Sequence, residues 1–155
     1  MVFLSPEEYL ETVRKPERKV YVGGELVKDL MEHPATSPVL RVMMRSYEME
    51  KDPAYRGVLT ARSFLTGREV SRSISVHRSR EDLAKRVEMG LIYAREFGTC
   101  YYACPGCDIL TALAATTWEM DKELGTDYHS RLKAFIRELE DGDLRCSGAV
   151  TDPRG

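Results

Sequence analysis

The chain has 155 residues, and its 23 Lys and Arg against 25 Asp and Glu leave a formal net charge of -2. This near balance offers no basic surface to a nucleic acid, so we expect no nucleic-acid partner. The opening residues lack the basic and apolar segments of a signal peptide, and no apolar run reaches the roughly 20 residues of a membrane helix. Composition therefore predicts a cytoplasmic protein without a membrane contact, large enough to bury its own core.

The first third of the chain predicts two helices separated by a hairpin. Ser5 and Glu8 have the spacing of a capping box, which places the start of a first helix there. Two short β-prone runs flank Gly23 and Gly24, as in a β-hairpin. A second helix starts at Ser37, because a serine followed by proline is typical of a helix N-terminus.

The next stretch, residues 52–78, carries turn signals and no long period. A second, weak hairpin or an extended arm is predicted around Thr66 and Gly67. Arginines are frequent in and beside this stretch, which leaves two interpretations open: an anion site gripped by guanidinium groups, or a solvated or subunit-contacting surface. These arginines are Arg56, Arg62, Arg68, Arg72, Arg78 and Arg80.

Three further helices are predicted in the second half. Ser79 caps a third helix that ends at about Phe97, and Gly98 terminates it. A fourth helix covers about 108–124 and a fifth about 127–140. The main core positions predicted from helical spacing are Leu83, Val87, Met89, Leu91, Leu110, Leu113, Trp118, Tyr128, Leu132, Phe135, Ile136 and Leu139. The fold class is therefore mainly α: a bundle of about five helices with one or two small β-hairpins.

Three of the four cysteines, Cys100, Cys104 and Cys107, lie within eight residues in a C-x3-C-x2-C pattern. In a reducing compartment this pattern favours a metal or iron–sulfur site over a disulfide framework. A helical turn would place the first two thiolates on one side, and iron–sulfur clusters usually take four thiolates. Zinc ligation and simple burial as small apolar side chains stay open as alternatives, as do roles for Cys107 and Cys146 as further ligands.

The candidates for acid–base chemistry are few. His33, His77 and His129 are isolated in the sequence, and a lone histidine is more often structural than catalytic. No nucleophile triad, phosphate-binding glycine loop or pair of carboxylates in a known frame is present. We therefore predict no catalytic residue within this chain.

With these residues in place, the sequence resembles one flavoprotein family along nearly its whole length, the 4-hydroxyphenylacetate 3-hydroxylase / 4-hydroxybutyryl-CoA dehydratase family. The segments similar to many members are 5–15, 20–24, 32–34 and 79–83. The resemblance implies the N-terminal helical domain of an acyl-CoA-dehydrogenase-like flavoprotein.

The cysteines favour the dehydratase branch of this family. Hydroxylase members carry an Arg-x-Pro-Asp-Tyr-like segment that helps to hold a phenolic substrate, where this chain has Ala103–Cys107. Dehydratase members carry here a C-x3-C pair that ligates a [4Fe-4S] cluster, and Cys100 and Cys104 match that pair. Segments 116–121, 125–129 and 148–155 are also similar to the dehydratase branch.

The resemblance further implies a partial FAD site at the end of the chain. Residues 141–155 are polar and aperiodic, and would form the truncated start of a flavin-binding middle domain after an N-terminal helical domain at 1–140. The residues implied to contact FAD are Thr151, Asp152, Pro153, Arg154 and Gly155. Cys100 and Cys104 would supply part of the cluster's ligands, while the remaining ligands, a His and a Cys, would lie beyond residue 155.

The function implied is that of an N-terminal fragment or split subunit of an enzyme that dehydrates 4-hydroxybutyryl-CoA to crotonyl-CoA and isomerises vinylacetyl-CoA. Its active site would be incomplete without a separately encoded remainder or a homo-oligomer, and its substrate would be an acyl-CoA. One alternative is the oxygenase component of a flavin-dependent 4-hydroxyphenylacetate 3-hydroxylase. Another is a non-catalytic helical remnant that dimerises or binds a metal.

Overall fold

The computed structural model describes residues 3–15, 18–98 and 105–147. Its helices are α1 (Pro6–Val13), α2 (Ser37–Lys51), α3 (Pro53–Leu59), α4 (Arg80–Phe97), α5 (Pro105–Leu124) and α6 (Tyr128–Asp141). Its strands are β1 (Tyr21–Val22), β2 (Glu25–Leu26), β3 (Thr60–Arg62) and β4 (Glu69–Ser71), followed by a 3-10 turn at Arg72–Ile74. The mainly α fold with two small antiparallel hairpins is confirmed.

The short helix α3 is absent from the sequence prediction, which indicated turns and a weak hairpin or extended arm over 52–78. Asp52 starts this helix, because its carboxylate accepts a hydrogen bond from the amide of Ala54 at 2.8 Å. Pro53 suits the first helical position, where no amide hydrogen is needed. A helix of seven residues is too short for its apolar period to stand out from the sequence.

Two compact units make up the chain, residues 2–56 and residues 57–155. The predicted domain boundary at 140/141 is a different division and stays a prediction. Among the described helices, none combines the length and the apolar character needed to cross a bilayer.

In the unit of residues 2–56, α1 packs against α2. The predicted capping box is present: the Glu8 amide donates to Ser5 Oγ at 3.1 Å, and the Ser5 amide donates to Glu8 Oε2 at 2.6 Å. The rings of Tyr9 and Tyr47 stack with their centroids 5.0 Å apart.

The predicted hairpin also lies in this unit, where β1 pairs with β2. Gly23 and Gly24 form its turn with φ values of 59° and 87°. Two successive left-handed residues give the turn that matches the twist of a two-residue hairpin. The glycine pair therefore explains why the chain reverses here.

The unit of residues 57–155 contains the second hairpin, β3 with β4, and the core between α5 and α6. The 3-10 turn follows β4 directly and places Ile74 in that core. The buried members of this cluster are Ile74, Leu110, Leu132, Ile136 and Leu139. Four of these five were predicted core positions of the fourth and fifth helices.

The predicted core stripe of α4 is wrong in its main members. Leu83, Val87 and Leu91 are each more than half exposed, whereas Met89 and Tyr93 are fully buried. This helix carries apolar residues on more than one face, and periodicity alone does not say which face is packed. The same applies to four predicted core residues of α5 and α6 that are about half exposed: Leu113, Trp118, Tyr128 and Phe135.

Candidate cofactor site

The cysteine segment lies between two well-defined helix ends. Helix α4 ends at Gly98, whose φ of 68° is left-handed and whose amide donates to the Ala94 carbonyl at 3.0 Å. Only glycine takes this conformation without steric cost. Helix α5 begins at Pro105, at the position where proline is favoured. Cys100 and Cys104 lie outside the described residues, so their assignment as cluster ligands stays a prediction.

Gly106, in the first turn of α5, packs against two backbone carbonyl groups. A Cβ at this position would lie 2.6 Å from the oxygen of Ser73 and 2.7 Å from the oxygen of Cys146. Contacts below 3.0 Å are essentially never made by real Cβ atoms. The first turn of α5, the 3-10 turn and the segment around Cys146 therefore approach one another only because residue 106 has no side chain.

This junction lies close in the sequence to both predicted cofactor segments. Cys104 precedes Gly106 by two residues, and Thr151 follows Cys146 by five. The five residues assigned to FAD, Thr151–Gly155, lie outside the described residues, so their contact with a flavin stays a prediction.

The chain that leads to the flavin segment is held by a buried ion pair. Arg145 Nη1 lies 2.9 Å from Asp143 Oδ1, and both side chains are at most 5% exposed. Asp143 itself has a left-handed φ of 45°. The Leu144 amide donates to the Leu139 carbonyl at 2.9 Å, which closes the turn after α6. Residues 142–146 are thus ordered by local contacts that the polar, aperiodic sequence did not predict.

A buried arginine, Arg72, ties the second hairpin to its own 3-10 turn. Its guanidinium donates to the carbonyls of Val58 and Thr60 at 2.5 and 2.6 Å, and its side chain is 3% exposed. Burial lowers the pKa of Arg72, while the carboxylate of Asp82, 3.5 Å away, opposes that shift. Arg72 is one of the arginines predicted to form an anion site or a solvated surface. It does neither, because it is buried and donates to backbone carbonyls.

Asp82 joins this network from the first turn of α4. Burial opposes ionisation of its carboxyl, but the Arg78 amide, the Ser79 hydroxyl and the Arg72 guanidinium outweigh it and lower the pKa of Asp82. The Ser79 hydroxyl in turn accepts from the Asp82 amide at 3.1 Å, which is the predicted N-cap of this helix.

A group of three potential metal ligands lies beside the junction: His77, Cys107 and Asp108. One ligand atom from each lies within 4.8 Å of the others. His77 Nδ1 is 3.9 Å from Asp108 Oδ1, which is beyond hydrogen-bond distance. Burial lowers the pKa of His77, although the charge of Asp108 opposes that shift, so the imidazole is neutral at pH 7. Among the described residues, Cys146 does not join this group.

Next to these residues a cleft of about 520 Å³ opens between α5, α6 and the segment before α4. Its walls include Phe64 and Trp118, and the Arg78 guanidinium lies 5.6 Å from the centre of the Phe64 ring. His129 also lines it and lies with Nδ1 3.1 Å from the Thr117 hydroxyl. The cleft thus combines aromatic walls with cationic and imidazole groups.

Sequence reasoning missed the close packing of Gly106, the role of Arg72 and the grouping of His77 with Cys107. All three depend on contacts between residues far apart in the chain, which spacing rules do not detect. Gly106 lies before the predicted start of the fourth helix at about residue 108, so no spacing rule marked it as a close backbone approach. The sequence carried no signal for His77 either.

The fold class, mainly α with two small hairpins, is that of the N-terminal domain of acyl-CoA-dehydrogenase-like flavoproteins. A family model described as 4-hydroxyphenylacetate 3-hydroxylase N terminal matches residues 5–155. The chain belongs to this family.

Two curated relatives represent the two branches. The 4-hydroxybutyryl-CoA dehydratase/vinylacetyl-CoA-Delta-isomerase of Clostridium aminobutyricum is 32% identical over 154 residues, which cover 99% of this chain and 31% of that protein. The oxygenase component of 4-hydroxyphenylacetate 3-monooxygenase from Thermus thermophilus is 26% identical over 147 residues, which cover 95% and 30%. The chain thus spans less than a third of the length of these relatives.

Solved structures of a dehydratase and of an oxygenase component also match this chain. An oxygen-tolerant archaeal 4-hydroxybutyryl-CoA dehydratase from N. maritimus superposes with a TM-score of 0.83 at 32% identity, over 92% of this chain and 28% of that one. An oxygenase component of 4-hydroxyphenylacetate 3-monooxygenase, solved with FAD and 4-hydroxyphenylacetate, gives a TM-score of 0.75 at 23% identity, over 97% and 31%. At that identity the second likeness shows the fold alone.

Proposed function

We propose that this chain is the N-terminal portion, as a fragment or a split subunit, of a dehydratase that uses FAD and a [4Fe-4S] cluster and acts on 4-hydroxybutyryl-CoA or a similar acyl-CoA. The observation that carries the proposal is the 32% identity to such a dehydratase over 99% of the chain. The cysteine pair Cys100 and Cys104 supports the same branch, since it matches the pair that dehydratase members use for their cluster.

The residues at hand fit such a cofactor pair in two respects. The donor set offers two thiolates four residues apart, which is suitable for one side of an iron–sulfur cluster. Gly106, two residues after Cys104, packs against the carbonyl of Cys146, five residues before Thr151, and an added side chain would block this approach. When bound, the cluster would supply a Lewis acid for the substrate hydroxyl, and FAD would supply redox chemistry.

In this proposal each segment of the chain has a defined task. Cys100 and Cys104 hold the cluster from one side. Thr151 and its neighbours to Gly155 contact FAD, where Arg154 suits the pyrophosphate. The part of the dehydratase that this chain does not match would supply the remaining ligands and the acid–base groups. That part would come from a continuing or separately encoded polypeptide, in a homo-oligomer or a mixed complex.

Anaerobic reconstitution with Fe²⁺ and sulfide tests the cluster assignment. An added small thiol can complete the ligand set, so we expect iron and sulfide to bind to the chain and give a broad visible absorbance. The variants Cys100→Ala and Cys104→Ala should each lose this absorbance, and Cys146→Ala is the matched control that should keep it. The assignment is wrong if the first two variants keep the absorbance or if only Cys107→Ala loses it.

A second candidate function is the oxygenase component of an aromatic hydroxylase, favoured by the 26% identity to such a component over 95% of the chain. The absence of the Arg-x-Pro-Asp-Tyr-like segment counts against it. The same experiment separates the two functions. If the chain belongs to an oxygenase component, we expect no uptake of iron and sulfide through Cys100 and Cys104, whereas the dehydratase assignment requires it.

A further inference from the structure

We propose that His77, Cys107 and Asp108 form a second metal site, for a single divalent cation of the zinc type. This site goes beyond the proposed function, because it shares no ligand with the cysteine pair assigned to the iron–sulfur cluster. It would join the segment before α4 to the first turn of α5.

The donor atoms are close to the spacing that such a cation needs. In a tetrahedral zinc site the donors lie about 2.0–2.3 Å from the metal, which separates them by about 3.3–3.8 Å. Here all three donors lie within 4.8 Å of one another, and His77 Nδ1 is 3.9 Å from Asp108 Oδ1. A contraction of at most about 1–1.5 Å would complete the geometry. An imidazole, a thiolate and a carboxylate are each common zinc ligands.

The imidazole of His77 has an unmet bonding requirement. Its side chain is 4% exposed, and its buried Nε2 has no hydrogen-bond partner. Buried polar atoms in folded proteins nearly always have a partner, and an unmatched one often marks a missing water or ion. A cation bound at Nε2 would supply the missing partner, whereas a cation bound at Nδ1 would leave Nε2 unmatched.

The backbone around these ligands is preorganised by Thr111. Its hydroxyl accepts from the His77 amide at 2.9 Å and donates to the Cys107 carbonyl at 2.7 Å. Two of the three ligand residues are therefore held to the same helical turn. Sites that are fixed before the metal arrives lose less conformational freedom on binding.

The third ligand, Asp108, is oriented by Arg86. The Arg86 guanidinium donates from Nε to both carboxylate oxygens at 3.0 Å and from Nη2 to Oδ2 at 2.5 Å. A carboxylate has about four lone-pair positions, so Oδ1 can bind a cation while Oδ2 keeps its contact with the guanidinium. Hydrogen-bonded carboxylates of this kind are typical of the groups around metal ligands. The Asp108 side chain is 43% exposed, which leaves a path for the cation and for a water as fourth ligand.

The local charges are compatible with a divalent cation. Arg72 interacts electrostatically with Cys107. One thiolate and one carboxylate would neutralise the cation's two charges. Arg72 and Arg86 already have acidic partners in Asp82 and Asp108.

Titration with Co²⁺, a spectroscopic substitute for Zn²⁺, tests the site. The titration uses the full 155-residue chain carrying Cys100→Ser and Cys104→Ser, reduced and stripped of metal. This background removes the thiolates of the proposed cluster, so failure here and failure of the proposed function are distinguishable. We expect one Co²⁺ per chain, a thiolate-to-cobalt charge-transfer band, and displacement of the cobalt by Zn²⁺.

Three further variants in that background identify the ligands. Cys107→Ser should abolish the charge-transfer band, and Asp108→Asn and His77→Gln should each weaken binding at least about tenfold. Cys146→Ser and His129→Gln are the matched controls and should bind as the background does. Circular dichroism checks that each variant is folded. If a substitution at a buried ligand unfolds the chain, the half-exposed Asp108→Asn decides.

Two results would overturn the site. One is a background protein that binds no cobalt, and the other is cobalt binding whose affinity Asp108→Asn leaves unchanged. A rise of the Tm on adding Zn²⁺, present in the background and absent in Asp108→Asn, would support the site independently of any colour.

Discussion

Replacing Gly106 with alanine tests the junction between the first turn of α5, the 3-10 turn and the segment around Cys146. The new Cβ would meet the Ser73 oxygen at 2.6 Å and the Cys146 oxygen at 2.7 Å. Both obstacles are backbone atoms, so no side chain can rotate away to make room. The first turn of α5 or its two neighbours must move by at least about 0.4 Å before the contact reaches even the shortest tolerated distance of 3.0 Å.

The expected cost follows from two opposing effects. Overpacking in a well-packed interior costs about 1–3 kcal/mol and occasionally more. The better helix propensity of alanine returns up to about 1 kcal/mol, and less in the first turn of a helix. We therefore expect a net loss of about 1–3 kcal/mol in the free energy of unfolding. For a chain of this size that loss corresponds to a decrease in Tm of about 2–12 °C.

Urea and thermal unfolding followed by circular dichroism measure this loss, and Gly57→Ala is the matched control. Gly57 is also helical, but nothing lies within 4 Å of its added Cβ. The control should be neutral or more stable by up to about 1 kcal/mol. If Gly106→Ala unfolds at the same urea concentration as Gly57→Ala, the close approach to the two carbonyls is not a property of the protein in solution.

Three other predictions concern buried and charged groups. Arg72→Ala should lower the free energy of unfolding by about 2–4 kcal/mol, because it leaves two carbonyls without their charged donor. Arg72→Lys should not restore this stability, since one ammonium group lacks the forked geometry of the guanidinium. Urea unfolding of both variants measures these effects. The lowered pKa of Asp82 stabilises the fold above the unfolded pKa of about 3.9, and that contribution is lost as the pH falls through the folded pKa. Asp82→Asn should thus flatten the decline of stability in acid, and unfolding curves that decline as steeply as the wild type's would contradict this. Ile136→Ala should lower the free energy of unfolding by about 2–5 kcal/mol, and Phe135→Ala, at the half-exposed neighbouring position, should lower it much less. Equal losses in urea unfolding would show that Ile136 is not a core residue in solution.

Local rules predicted the parts of the fold that local chemistry determines. The capping box at Ser5, the glycine turn at Gly23 and the left-handed end of α4 at Gly98 each depend on a few neighbouring residues, and each is present. The choice of packed face is different, because it depends on which surface another element covers. Met89 is therefore buried while Leu91, two residues later, is exposed, and no periodicity in α4 could have separated them.

The candidate site also has features that the sequence predicted and features that depend on the folded chain. The resemblance of the cysteine segment to the dehydratase branch could be seen in the residues themselves. The approach of Ser73 to Gly106 and of His77 to Cys107 joins segments more than 25 residues apart, so it emerges only from the folded chain.

The two helix ends around the cysteine segment have a consequence for how new chemistry arises on this fold. Gly98 terminates α4 through its own backbone conformation, and Gly106 anchors α5 through its lack of a side chain. Both devices lie outside residues 99–104, so we expect those six positions to tolerate exchange. Under the proposed function, metal-binding residues could be exchanged there for substrate-binding residues without rebuilding either helix, and a protein engineer could graft this segment from one branch onto the other.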